Sequence, residues 1–395
     1  MSDRDSLPAP DGPRPIGLQV LELTGNGRRI QAYAWYPASG ATEPPRAFMT
    51  EREAEAHALA ARALGAAKPD RTLLTRLLTR TVCDAPVAPG TFPVVVFNHG
   101  GGLSPLANFS LKEAIASLGM VAISIGHAGE SAALAWRDGS LTLIEPVVLT
   151  RMQLPTEALA AFARFLSGAD EAARRRDLAV FRDLDPGGLG ALSQAWASDS
   201  IAVVDHLLAD PGSTPSPELS LALDRGKLAY GGMSLGGSAA FDCCRRDPRA
   251  VAGFNLDGVN WDFGAVDADI GIPFLDLASD PERRRAQLMS LAPDCTTQAG
   301  SIGGPNDFHY ATAESRAAMA DIYRLHVSGA DHMDFTDLNL LAQLSAHEDA
   351  EEAEAKRRTI VQTTCRFLQW AFGLMSRDEM DTGVANARLL VPVTI

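Results

Sequence analysis

The sequence predicts an α/β fold, with a mostly parallel central sheet and helices on both of its faces. Three observations carry that expectation. Two short apolar runs read as strands: Val94 to Phe97, continuous as in a strand buried on both sides, and Val121 to Ile125, with Ser124 its one polar residue. A helical stretch, Leu111 to Leu118, lies between them and stops at Gly119. The same rhythm returns near residue 230, where a strand runs through a glycine-flanked turn into a helix.

Taken in order, residues 1–16 are polar and Pro-rich and read as a flexible arm. Leu18 to Leu23 and Arg28 to Tyr36 alternate around Asn26-Gly27, the pair that best tolerates the positive φ angles of a tight hairpin. Residues 50–82 read as a helical insertion. Thr50 is the N-cap of a first helix, Pro69-Asp70 breaks it, and a second short helix covers Thr72 to Thr81. After the two buried strands, residues 137–195 are rich in Ala, Arg and Asp and read as a helical lid. The sheet rhythm resumes with a helix from about Ser198 to Leu208 and a strand from Lys227 to Tyr230. Further strands are expected at Val251 to Leu256, Ile272 to Leu277 and Tyr323 to Val327. A final amphipathic helix runs from about Asp349 to Leu374, acidic at its start as the helix dipole favours. Residues 17–395 are therefore read as one domain carrying an insertion and a lid.

Charge and composition exclude several partners. Lys and Arg number 35 against 49 Asp and Glu, a net charge of −14, so the clustered positive charge that nucleic acid requires is missing. No run of about 18 apolar residues marks a transmembrane helix, and the N-terminus lacks the pattern of a signal peptide. A cytoplasmic location is the expectation. Five cysteines with no C-x-x-C pair argue against a disulfide framework, and Cys243-Cys244 reads as two small buried hydrophobes.

The strongest motif is Gly232-Met233-Ser234-Leu235-Gly236, set directly between a strand and a helix. This is the context of a nucleophile elbow, where a strained turn pushes the serine oxygen out of the sheet and the helix N-terminus offers N–H groups to a developing negative charge. The α/β-hydrolase fold is thus the specific expectation. Asn98-His99-Gly100-Gly101-Gly102 follows an early buried strand, where that fold presents a second donor, so the oxyanion hole is expected between the N–H groups of Gly101 and Leu235. His99 reads as a hydrogen-bonding support for that loop. Of eight histidines, those after the nucleophile are His309, His326, His332 and His347, as the chain order of this fold requires of the base. His326 lies in a strand run and His347 at the mouth of an acidic helix, while His309 precedes the last strand. His332 sits in the loop straight after that strand and is favoured. Two strand ends offer the acid, Asp257 and Asp280, and either can fix the imidazole tautomer.

Several segments also resemble the platelet-activating-factor acetylhydrolase family, in its plasma lipoprotein-associated type and bacterial relatives. They are Pro93 to Gly102, Ala116 to His127, Asp224 to Gly237, Asn255 to Gly258 and Ser328 to Asp337. The resemblance covers most of residues 90–375. It implies an α/β-hydrolase fold, a Ser234-Asp257-His332 triad with the acid after the strand that follows the nucleophile, and oxyanion donors at Gly101 and Leu235. The family usually has His where this chain has Met233, and often Leu or Phe where it has Gly101. The expected activity is hydrolysis of small or short-chain carboxylic esters through an acyl-enzyme. Neither a metal nor an organic cofactor is implied. The alternatives are an amidase, lactonase or acyltransferase with the same triad, and a binding protein of this fold without activity. Trp136, Trp196, Trp261 and Phe263 are candidates for the substrate pocket or for the core.

Overall fold

A computed structural model describes residues 6–40, 43–66, 69–168, 170–184, 187–209, 214–265, 268, 270–284, 286, 306, 321–346, 350–383 and 387–389. The hairpin forms as its alternation predicts. Strands β1 (Ile16–Gly25) and β2 (Arg28–Pro37) pair antiparallel around Asn26 and Gly27, at φ 51° and 76°. Helix α1 (Glu51–Ala63) starts from a capping box in which Thr50 and Glu53 satisfy each other's backbone N–H groups.

Two expectations for the N-terminal part are corrected. The second helix, α2 (Arg71–Arg76), stops well short of Thr81. Leu77 turns into extended backbone, and Thr81–Cys83 becomes β3, which runs parallel to β1 at the edge of the main sheet. The β-branched residues Thr79, Thr81 and Val82 suit a strand better than a helix. The insertion is therefore built into the sheet. The arm is also held where it is described: Leu7 is fully buried, and its N–H bonds Leu78 O at 2.8 Å.

The remaining strands are β4 (Phe92–Asn98), β5 (Val121–His127), β8 (Leu223–Met233), β9 (Ala250–Leu256), β10 (Phe274–Ala278), β11 (Ile322–Val327) and β12 (Ala387–Leu389). The sheet order is β12-β11-β10-β9-β8-β4-β5-β2-β1-β3, and β5 through β11 in that order run parallel. Alternate side chains serve opposite faces, as the pleat dictates. Val95 and Phe97 join the core under α3 (Phe109–Ser117) and α11 (Glu351–Ala371). Val94 and Val96 join the core under α7 (Leu189–Leu207) and α9 (Leu235–Arg246). This two-sided burial is why the strands read as unbroken apolar runs. The start of α11 carries an i,i+4 ion pair, Glu352 with Lys356 at 2.7 Å.

The segment expected to be a helical lid is more varied. It opens with a small hairpin, β6 (Ala133–Ala135) and β7 (Leu141–Leu143), followed by α4 (Pro146–Arg151), α5 (Thr156–Ser167) and α6 (Glu171–Leu184). Its last residues belong to α7, which begins at Leu189, nearer the N-terminus than the expected start at Ser198. Short helix α8 (Pro217–Leu221) leads into β8. Helices α10 (Leu338–Ala346) and α12 (Arg377–Gly383) flank α11. Among the described residues no helix is long and apolar enough to cross a membrane.

Candidate active site

The ends of β4, β8, β9, β10 and β11 bring Gly101, Ser234, Asp257, Ser279 and His332 to one edge of the sheet. This is the edge where α/β sheets hold ligands. Ser234 ends β8 and caps α9 with φ 56° and ψ −121°, a strained conformation for a residue with a side chain. Its N–H bonds Leu256 O at 2.9 Å, which ties the turn to β9. The turn is tight because Gly236 lies against the end of β4. A Cβ at Gly236 would come within 2.1 Å of Asn98 O and 2.4 Å of His99 O, and backbone cannot yield cheaply there. Gly236→Ala is therefore expected to destabilise the fold by roughly 3 kcal/mol, read as a lower urea midpoint at unchanged slope.

A hydrogen-bonded chain starts at the elbow. Ser234 Oγ lies 3.0 Å from His332 Nε2, and His332 Nδ1 lies 2.7 Å from Asp257 Oδ2. Since a carboxylate can only accept, Nδ1 carries the proton and Nε2 is free to take the serine's. Asp257 Oδ1 accepts two more hydrogen bonds, from the N–H and the hydroxyl of Ser279, both at 2.8 Å. Burial pushes the Asp257 carboxyl up. The bond from His332, the nearby Arg284 and the Ser279 N–H outweigh that, and the net direction is down, so the group is ionised at neutral pH.

Asp280 is not in this chain. Its carboxylate accepts from the N–H groups of Gly329 and Glu282, at 2.9 and 3.0 Å. It braces the loop before His332 without touching the imidazole. Those backbone N–H groups, Gly329 first, hold its carboxyl below the usual range. His326 sits half-buried in β11, and His309 and His347 lie outside the described residues.

The two expected donors also lie near the elbow. Leu235 is the first residue of α9, where an N–H has no partner within the helix. Among the described residues the cap hydrogen bonds use the N–H groups of Ser234, Gly237 and Ser238, and no loop bond uses that of Gly101. A Cβ on Gly101 would sit 3.7 Å from Leu235 Cδ2 and 2.5 Å from Met152 Cε, so Met152, at the end of α4, roofs this corner.

The pocket candidates divide. Trp196 is 1% exposed and stacks on His127, which makes it core. Trp136 is buried, with its Nε1 donating to Thr142. Trp261 and Phe263 pack with Phe162, Phe165 and Phe181 of α5 and α6, so they join the helical layer to the loop after β9. Ser279, Met152 and Asn306 were missed in the sequence. Asn306 is fully buried and donates to Gly258 O at 2.7 Å, next to the acid. None of the three lies in a motif, and only contact reveals them. Among the described residues no group of His, Cys, Asp or Glu is placed to hold a metal ion.

Neither a protein-family model nor a curated protein matches the chain. Among solved structures, a ferulic acid esterase from Streptomyces cinnamoneus is similar. It has a TM-score of 0.68 and 19% identity, and the match covers 98% of this chain and 99% of that one. The fold is that of the α/β-hydrolases. At this identity the likeness speaks for the fold and does not extend to the acetylhydrolase family suggested by the sequence segments.

Proposed function

We propose that the protein is a serine-dependent carboxylic-ester hydrolase acting on small esters. The observation that carries this reading is the chain Ser234 Oγ, His332, Asp257, starting from a strained elbow. Ser234 Oγ attacks the acyl carbon while His332 Nε2 takes its proton. The carbonyl oxygen becomes an oxyanion held by the N–H groups of Gly101 and Leu235. Collapse expels the alcohol, protonated by His332, and leaves an acyl-serine. Water, deprotonated by His332, then attacks the acyl-serine and releases the acid. The similar solved structure is a ferulic acid esterase, which agrees with this reading. Residues 17–395 then form one catalytic unit with α4, α5 and α6 as its lid, and membership in the platelet-activating-factor acetylhydrolase family is the narrower reading.

The test is a fluorophosphonate probe together with a substrate panel. Wild type is expected to be labelled, and Ser234→Ala is not. Hydrolysis of p-nitrophenyl esters is expected to fall as the acyl chain lengthens, measured beside an amide, a lactone and a short-acyl phospholipid. An absence of both labelling and turnover overturns the proposal. Turnover of the amide or lactone alone redirects it to another acyl bond, and hydrolysis of the phospholipid supports the narrower family.

A further inference from the structure

Three hydrogen bonds beneath the elbow form a directional relay. The N–H of His127 reaches Ser131 Oγ at 2.9 Å, Ser131 Oγ lies 2.6 Å from His99 Nε2, and His99 Nδ1 lies 2.8 Å from Gly100 O. Donor bookkeeping leaves one assignment. A backbone N–H can only donate, so Ser131 Oγ accepts from His127. A carbonyl can only accept, so His99 Nδ1 carries the ring proton. The Ser131 hydroxyl hydrogen then goes to His99 Nε2. Full burial also keeps this ring neutral.

The Gly100 carbonyl belongs to the same planar peptide as the Gly101 N–H. In a trans peptide the two point in opposite directions, so fixing the carbonyl fixes the N–H. This peptide lies beside the nucleophile: a Cβ on Gly100 would come within 3.3 Å of Ser234 Cβ and 2.8 Å of Met233 Sδ. Two glycines in succession would otherwise leave that plane free to rotate.

The ring that holds the plane is itself clamped. His99 packs edge-on against Trp196, with ring centres 4.8 Å apart, and Trp196 stacks on His127 at 4.3 Å. His127 Nδ1 bonds Asp199 at 2.8 Å, and its Nε2 lies 3.1 Å from the side-chain amide of Asn98, the last residue of β4. Arg28 and Asn26 of the N-terminal hairpin bind the same Asp199 carboxylate. Trp196 Nε1 donates to Glu130 at 2.8 Å. Every ring is thus fixed on at least two sides.

We propose that His99 is a positioning residue that aims the Gly101 N–H at the oxyanion by locking the Gly100–Gly101 peptide plane, with Ser131 holding its ring. This rests on the ester-hydrolase reading. Two variants and one direct observation test it. His99→Leu keeps the bulk and removes the donor. Its kcat is expected to fall roughly 10–100-fold while KM moves less than about threefold, because an oxyanion donor acts in the transition state. Affinity for a boronic acid that mimics the tetrahedral intermediate falls in parallel. His99→Asn, which keeps a donor at the Nδ1 position, is expected to stay within about fivefold of wild type. In the ¹⁵N-labelled wild type, the His99 nitrogens are expected to report a neutral ring protonated at Nδ1 between pH 6 and 8, whether or not either variant folds.

A folded His99→Leu with wild-type kcat overturns the inference, as does a ring protonated at Nε2. Equal losses in both folded variants would also overturn it, since they would mark a packing role only. Failure of wild type to hydrolyse any ester or to react with the fluorophosphonate is a separate outcome. That result removes the enzymatic reading, and the ring's protonation then still reports on the relay.

Discussion

Ser234→Ala is expected to lower kcat/KM for ester hydrolysis by roughly 10⁵–10⁶-fold while leaving the protein folded. The size of the effect follows from how the site works as a unit. In the proposed mechanism His332 Nε2 deprotonates Ser234 Oγ, 3.0 Å away, and without that oxygen no acyl-enzyme can form. What remains is water attacking an ester held near two N–H donors, which still exceeds uncatalysed hydrolysis by about 10³-fold. The fold should be indifferent. Alanine at φ 56° carries the same backbone strain as serine, and the Ser234 N–H to Leu256 O bond is untouched. A burst of p-nitrophenol in wild type that vanishes in the variant, at an unchanged melting temperature, is the expected pair of results. A variant within tenfold of wild type would mean that the nucleophile lies elsewhere. His332→Ala in the Ser234→Ala background should cost almost nothing more, because the two side chains act in one step.

Much of the fold could be read from sequence because its parts obey local rules. Asn26-Gly27 announces its hairpin through φ, Thr50 announces its helix through the cap, and the buried strands announce themselves by unbroken apolar runs. The elbow is legible for the same reason, since a strand, a tight turn and a helix must meet within a few residues. The failures share the opposite property. Thr81–Cys83 becomes a strand where β1 lies beside it, and its β-branched pair Thr81 and Val82 is too short a run to mark the end of the helix expected before it. Leu7 is buried only because Leu78 and the core below receive it. Ser279 reaches Asp257 across 22 residues, and Met152 reaches Gly101 across 51. Ser131 and His99 stand 32 residues apart and become a relay only when β4 and β5 are neighbours. Long-range pairing creates these relations, and a single sequence carries no period or cap that encodes them.

The choice between the two candidate acids was of this long-range kind, and it yields the second large effect. Asp257→Asn is expected to lower kcat by about 10⁴-fold, with Asp280→Asn losing less than about tenfold. The reason lies in Ser279. Its backbone N–H always donates, so the atom at the Asp257 Oδ1 position must be an oxygen. An asparagine there has to orient its carbonyl toward Ser279 and its amide nitrogen toward His332. The His332 Nδ1, facing a donor, then becomes the acceptor, and the ring proton moves to Nε2. A protonated Nε2 points a hydrogen at Ser234 Oγ and cannot remove the serine's proton. The variant therefore keeps its shape and loses its base. At Asp280 the same change removes one of two backbone contacts, to Gly329 or to Glu282, and leaves the His332 tautomer as it was. Comparing kcat for the two variants separates the roles, and ¹⁵N shifts of His332 in Asp257→Asn should show the proton on Nε2. A larger loss in Asp280→Asn, or an Asp257→Asn variant within tenfold of wild type, would reassign the acid. Ser279→Ala refines the point. It removes the hydroxyl but keeps the N–H, so the orientation at position 257 survives and the loss should stay near tenfold, the scale of one charge-assisted hydrogen bond.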